Sequence, residues 1–194
     1  ILYNFPVSAT GIYVGNLTAN ADTIYGIASY GGTYGQGQIF AIHLSSGVGT
    51  VLYNFTQDEG YYPSGIIYYD GLLYGTLSNG GTSGHGTAYS FDPSSRKFTL
   101  LHNFGNRGDG RYPYGNLIPD NGLLFGITGS GGKFGYGTIY SIDPSTGLEK
   151  VMHDFSGKKE ESPRADLVIK GATLVGVTDC CSESGYGTVY EYTP

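Results

Sequence analysis

One repeating unit of about 50 residues fills this chain four times, and that constrains its fold more than any other feature. The clearest copies read LYNFTQDEGYYPSGIIYYDGLLYGTLSNGGTSGHGTAYSFDP and LHNFGNRGDGRYPYGNLIPDNGLLFGITGSGGKFGYGTIYSIDP. Phe5, Phe55, Phe104 and Phe155 recur at spacings of 50, 49 and 51, and Gly26, Gly75, Gly126 and Gly176 at 49, 51 and 50. Repeats start near residues 1, 52, 101 and 152, and one domain spans 1–194. Apolar residues make up 39% of the chain and aromatics 14%, enough to build a packed interior despite 34 glycines.

Each unit reads as four short strands, because runs rich in Tyr, Ile, Val, Thr and Phe alternate with Gly, Asp, Asn and Pro clusters at roughly 10-residue intervals. In the third unit these runs are LLHNF, YGNLI, LLFGIT and GTIYSID. Asp70-Gly71 and Asn121-Gly122 fit tight type I′ hairpins, and Asp92-Pro93 and Asp143-Pro144 open the following turns. A meander of four strands cannot bury both faces alone. The expected fold is therefore all-β, a four-bladed β-propeller of about 16 antiparallel strands in which each sheet covers its neighbour. Leu17, Ile67, Leu117 and Leu167 share one place in the innermost strands. The chain opens on a fourth strand, ILYNF, and stops after a third, GTVYEY, so Ile1–Phe5 is expected to pair with Gly187–Tyr192 and close the ring.

The strings LYGTLSNGGTSGHGTAYSFDP, LFGITGSGGKFGYGTIYSIDP and IYGIASYGGTYGQGQIFAI resemble the YGTT, GG, GxGTVF pattern of the GloVer tandem repeats. The resemblance covers all four units. It implies a propeller-like architecture and an extracellular or cell-surface setting, and it carries no catalytic residues. The fourth unit departs from the pattern, with Cys180-Cys181 in place of the Gly-Gly pair and a charged KKEE run before it.

Ten basic against 16 acidic residues give a net charge of −6, which argues against a sequence-independent grip on nucleic acid or anionic lipid. No apolar run approaches the ~18 residues that membrane insertion requires. Strand alternation places the loops between second and third strands on one face with the connections between units. That face gathers Tyr30, Tyr34, Tyr61, Tyr62, Tyr112 and Phe134 beside Asp58, Arg107, Asp109 and Arg111. Rings that cover the C–H faces of sugars, flanked by groups that bond hydroxyls, point to a multivalent, lectin-like module for glycans or cell-surface polysaccharide. A structural or adhesive protein that assembles into oligomers or fibres is one alternative, and a glycan-active hydrolase or lyase is another. An enzyme needs converging carboxylates, an activated nucleophile or a metal, and no such constellation stands out.

No cofactor is required by this reading. Asn16, Asn116 and Asp166 recur at one position of the innermost strand, where they can hold water or an axial cation such as Ca²⁺. His102 and His153 take the repeat position of Tyr3 and Tyr53, which marks them as strand residues of separate blades rather than a shared metal set. Cys180 and Cys181 are adjacent and are the two cysteines of the chain, so a vicinal disulfide, two inert thiols and a redox or metal role all stay open. Asn16 and Asn54 fit the glycosylation pattern, yet Asn54 matches Asn4, Asn103 and Asp154, a structural strand-end position.

Overall fold

A computed structural model describes residues 14–106, 108–157, 161–163, 166–180 and 187–194. It is all-β, with no helix among the described residues and four antiparallel four-stranded sheets. The first sheet contains β1 (Val14–Asn20), β2 (Thr23–Ala28), β3 (Gln38–His43) and β4 (Gly49–Asn54). The second contains β5 (Tyr61–Tyr69), β6 (Leu72–Asn79), β7 (Thr87–Asp92) and β8 (Lys97–Asn103). The third holds β9 (Gly110–Asp120), β10 (Leu123–Gly131), β11 (Thr138–Ile142) and β12 (Glu149–Asp154). In the fourth, β13 (Glu161–Pro163) and β14 (Val168–Lys170) both pair with β15 (Thr173–Cys180), which also pairs with β16 (Val189–Tyr192). The first three sheets are plain meanders, as the hairpin signals predicted. Asp70 and Gly71 take φ of 48° and 85°, and Asn121 and Gly122 take 47° and 79°, the double positive φ of a type I′ turn. Expected strand Ile1–Phe5 lies outside the described residues.

Three apolar clusters hold consecutive sheets together. Ile27, Ile39 and Phe55 of the first sheet and its exit meet Ile66, Leu73, Leu77, Tyr89 and Phe91 of the second. Phe104 then joins the second sheet to Leu117, Leu124, Tyr140 and Ile142 of the third, and Phe155 joins the third to Leu167, Leu174 and Tyr190 of the fourth. The recurring Phe is thus a peg into the next sheet. Its ring sits 5.2, 4.9 and 5.1 Å from Tyr89, Tyr140 and Tyr190 respectively. These tyrosines lie across the ladder from Gly75, Gly126 and Gly176, where a Cβ would collide with the phenol ring. That collision explains why the second strand keeps a glycine at this place. Leu117 and Leu167 are buried in the same contacts, whereas Leu17 is 56% exposed.

The Tyr89 hydroxyl is buried without a hydrogen-bond partner, and burial pushes its pKa far above the ordinary phenol value. Repeat one has Phe40 at the same place. Tyr89→Phe is therefore expected to stabilise the protein by about 1 kcal/mol, read as a higher denaturation midpoint with an unchanged slope. A loss of stability would mean that the hydroxyl has a partner.

Strand-end amide and carboxylate oxygens fasten the face loops. Asn54 Oδ1 accepts the Thr33 N–H at 2.9 Å, Asn103 Oδ1 accepts Thr82 N–H at 2.9 Å, and Asp154 Oδ1 accepts Lys133 N–H at 2.7 Å. A Cβ on Gly81 would lie 2.6 Å from Asn103 Oδ1, and Gly81 has φ of 71°, so the second glycine of the pair is required by both contact and conformation. These three loops are clamped backbone rather than loose connections.

Candidate functional site

The innermost strands come together around a cleft, and the local backbone explains why. Each of β1, β5 and β9 is interrupted by a bulge, between Val14 and Leu17, Pro63 and Gly65, and Tyr114 and Ile118. The bulge re-aims the strand and brings the glycine it contains or ends on against its neighbour. A Cβ on Gly65 would lie 2.6 Å from the Gly115 carbonyl carbon and 2.8 Å from Asn116 Cα. Side chains then tie the strands to each other. Ile66 N–H donates to Asn116 Oδ1 at 3.0 Å, while Asn116 donates its backbone N–H and its Nδ2 to the two Asp166 oxygens at 2.7 and 2.8 Å. Tyr68 N–H reaches Thr18 Oγ1 of the first sheet at 3.0 Å.

Of the three residues expected at an axial ion, Asn116 and Asp166 are therefore joined in a hydrogen-bonded chain between sheets. Asn16, Asp166 and Gly115 line a cavity of about 720 Å³ with Ser29, Tyr30, Tyr62, Ser64, Ser78, Asn79 and Tyr114. Tyr30 and Tyr62 meet at 4.8 Å with their rings tilted by 60°, and Tyr61 braces Tyr62 edge-on, also at 4.8 Å. Tyr62 and its counterpart Tyr112 both take φ of 58° immediately before a proline, a conformation costly for a bulky residue. That left-handed step precedes the bulge and leaves Tyr62 38% and Tyr112 41% exposed.

The remaining residues singled out from the sequence are dispersed. Tyr112 and Tyr114 line a smaller hollow of about 230 Å³, with His85 edge-on to Tyr112 at 5.3 Å. Asp58 and Tyr61 border a separate hollow of about 470 Å³ beside Gly80, Gly81 and Thr82. Tyr34 and Phe134 stand exposed at loop tips, Phe134 beneath Lys133 Nζ at 5.1 Å, and Arg111 is exposed. Arg107 lies outside the described residues, as do Cys181 and the Cys180 side chain on which the disulfide reading depends.

Asp109 is a correction. It was expected on the ligand face, but the connection to β9 folds inward and leaves it 8% exposed. Its carboxylate accepts N–H from Gly105 at 3.2 Å and Gly110 at 2.6 Å, and lies 3.0 Å from His102 Nε2. The side chain is occupied in holding the connection between sheets, so it is not available to a ligand on the face. Glu149 of β12 completes a group with His102 and Asp109 whose ligand atoms all lie within 4.8 Å of one another. Burial and the Asp109 carboxylate push the Glu149 carboxyl up to about 7, with His102 pulling the other way.

The cavity residues that sequence reasoning missed are Ser29, Ser64, Ser78, Asn79 and Tyr114. For Ser64, Asn79 and Tyr114 the signal was departure from the repeat, since one position reads Tyr30, Asn79 and Ser130 in successive units and another reads Val14, Ser64 and Tyr114; Ser29 and Ser78 share one position and carry no such signal.

Four antiparallel sheets, consecutive ones fastened by Phe–Tyr pegs, with a polar cleft among their innermost strands, define an all-β repeat protein of propeller-like fold. The chain belongs to the Gloeobacter/Verrucomicrobia repeat family, whose model matches residues 1–190. A comparison with curated proteins gives no match. Among solved structures it is similar to the computationally designed Ika4 protein, at 14% identity over 100% of this chain and 98% of that one, with a TM-score of 0.61. TolB from Acinetobacter baumannii is similar at 17% identity over 94% of this chain and 41% of TolB, with a TM-score of 0.62. An oligogalacturonate lyase in complex with manganese is similar at 16% identity over 100% of this chain and 53% of the lyase, with a TM-score of 0.62. The chain thus spans about half or less of the length of the last two proteins, and at such identities the likeness concerns the fold alone.

Proposed function

We propose that the chain is a single-domain, four-bladed propeller closed by Ile1–Phe5, and that it works as a carbohydrate-binding module at an extracellular or cell-surface location. The peg pattern supports the closure. Phe5 occupies the repeat position of Phe55, Phe104 and Phe155, and Phe40 occupies that of the Tyr residues they pack against.

The observation that carries the ligand reading is the aromatic corner of Tyr30 and Tyr62 on a cavity whose other walls are hydroxyl, amide and carboxylate groups. A sugar ring of ordinary size fits a cavity of about 720 Å³ with room for a second unit. The corner covers the apolar sugar face. Ser29, Ser64, Ser78, Asn79 and the lone pairs of Asp166 left by Asn116 meet its hydroxyls. Binding rather than hydrolysis is favoured because Asp166 is the one acid among the described residues lining this cavity, and general acid–base cleavage uses a pair. Phe134 and Tyr34 at the loop tips supply secondary contacts to a polymer lying across the face.

A glycan array followed by calorimetry tests the reading. A bound oligosaccharide is expected to lose about tenfold in affinity on Tyr62→Ala, the ~1.4 kcal/mol equivalent of one ring contact, with little change on Arg111→Ala. Silence across both methods for the unmodified protein would defeat it.

A further inference from the structure

The two contacts that bracket the second sheet are built on the same three positions, and they are filled with different chemistry. Between the first and second sheets stand Tyr53, Glu59 and Phe98. The Tyr53 hydroxyl donates to Glu59 Oε1, Glu59 Oε2 accepts the Thr56 N–H at 2.9 Å, and Phe98 stacks on Tyr53 at 5.0 Å with the rings within 4° of parallel. Every polar atom there has a partner and the third position is apolar. Between the second and third sheets the same places hold His102, Asp109 and Glu149. The ladder confirms the equivalence of the third pair, since Phe98 faces Phe91 in β7–β8 and Glu149 faces Ile142 in β11–β12.

A stacked ring has thus been exchanged for a carboxylate beside a second carboxylate. Glu149 Oε1 is shut off from water and accepts no hydrogen bond. An acidic oxygen left this way is costly, and a cation shared with the neighbouring ligands removes the cost. We infer that His102, Asp109 and Glu149 form a binding site for a divalent first-row transition ion of the zinc type, joining the second and third sheets. One imidazole and two carboxylates make a mixed N/O set, which suits zinc, cobalt or manganese better than calcium, whose shell takes six or more oxygens.

The dimensions agree with this assignment. Bonds of about 2.1 Å to a tetrahedral ion leave ligand atoms roughly 3.4 Å apart, so three atoms already within 4.8 Å need only small side-chain movements to close on it. His102 Nε2 would exchange its bond to Asp109 for the metal. Asp109 is held in place by the Gly105 and Gly110 N–H groups, the outer-shell support that ligating carboxylates use. His102 and Glu149 are both partly exposed, which leaves the ion a way in. This inference is independent of the sugar reading, because none of the three residues lines the axial cavity.

The test is a calorimetric titration of chelator-stripped protein with zinc chloride, paired with cobalt substitution followed by visible absorption. One ion per chain is expected, with a raised melting temperature and cobalt d–d bands of low coordination number. Glu149→Gln is expected to weaken binding at least about tenfold. The double variant His102→Tyr, Glu149→Phe places the Tyr and Phe of the preceding contact beside Asp109 and should melt cooperatively without binding either ion. His43 and His85 remain in both variants, so uptake elsewhere would persist in them. No uptake by the stripped wild-type protein, or uptake undiminished in Glu149→Gln, overturns the site even if the double variant does not fold.

Discussion

Replacing Gly65 with alanine is expected to destabilise the protein by about 3 kcal/mol or more. The effect does not come from backbone strain, since the obstruction is the neighbouring strand. The added carbon would lie 2.6 Å from the Gly115 carbonyl carbon and 2.8 Å from Asn116 Cα, and closer still to the Gly115 oxygen. Those are main-chain atoms of β9, and no rotamer change can move them aside. Relief requires the innermost strands of the second and third sheets to separate. Separation in turn breaks the Ile66 N–H bond to Asn116 and slackens the link from Asn116 to Asp166. Gly71→Ala is the reference: the turn there is open, with nothing within 4 Å, and its φ of 85° alone makes the change unfavourable by about 1 kcal/mol. Denaturant unfolding of both variants measures the difference. Equal losses would mean that the innermost strands do not touch at Gly65. Because the cavity is walled by these same strands, Gly65→Ala should also lower any sugar affinity, whereas Gly71→Ala should not.

How much of this was legible beforehand depends on whether a residue obeys the repeat or departs from it. Phe55, Phe104 and Phe155 announced themselves by period, and the structure gives each the same work as a peg into the next sheet. Asn54 and Asn103 were read as strand-end residues, and they do clamp the face loops. Asp70-Gly71 and Asn121-Gly122 turned as their side chains dictate.

What escaped was anything decided by how far a strand bends. Asn116 and Asp166 looked like free ligands at an axis, yet bulges bring the innermost strands close enough for these side chains to bond across them. Strand alternation put Asp109 on the ligand face with the other connections, and nothing local reveals that its connection tucks it under His102. The clue to that group lay in comparing repeats at a fixed register: Phe98 against Glu149 and Tyr53 against His102 are exchanges that a strand of the same shape does not require.

The second large effect concerns the proposed closure. A chain lacking Ile1–Phe5 is expected to lose its cooperative monomeric state, either unfolding or associating through the edge left uncovered. Each described contact between sheets is sealed by a Phe with no exposed surface, at Phe55, Phe104 and Phe155. In a closed ring Phe5 seals the remaining one against Phe40. About four backbone hydrogen bonds at ~1 kcal/mol each, together with ~2 to 3 kcal/mol for a buried Phe, approach the ~5 to 15 kcal/mol by which a domain of this size is stable at all. Light scattering coupled to gel filtration and a thermal melt read the outcome. A synthetic peptide carrying the sequence ILYNFP, added to the truncated chain, should restore both the monomer and the melt, because the missing strand contributes through pairing and not through its covalent attachment. A truncated protein that stays monomeric with an unaltered melting temperature would show that the sheets close without it. Retained folding with a lower melt and a growing oligomer fraction, in contrast, is what an open ring with one bare edge must do.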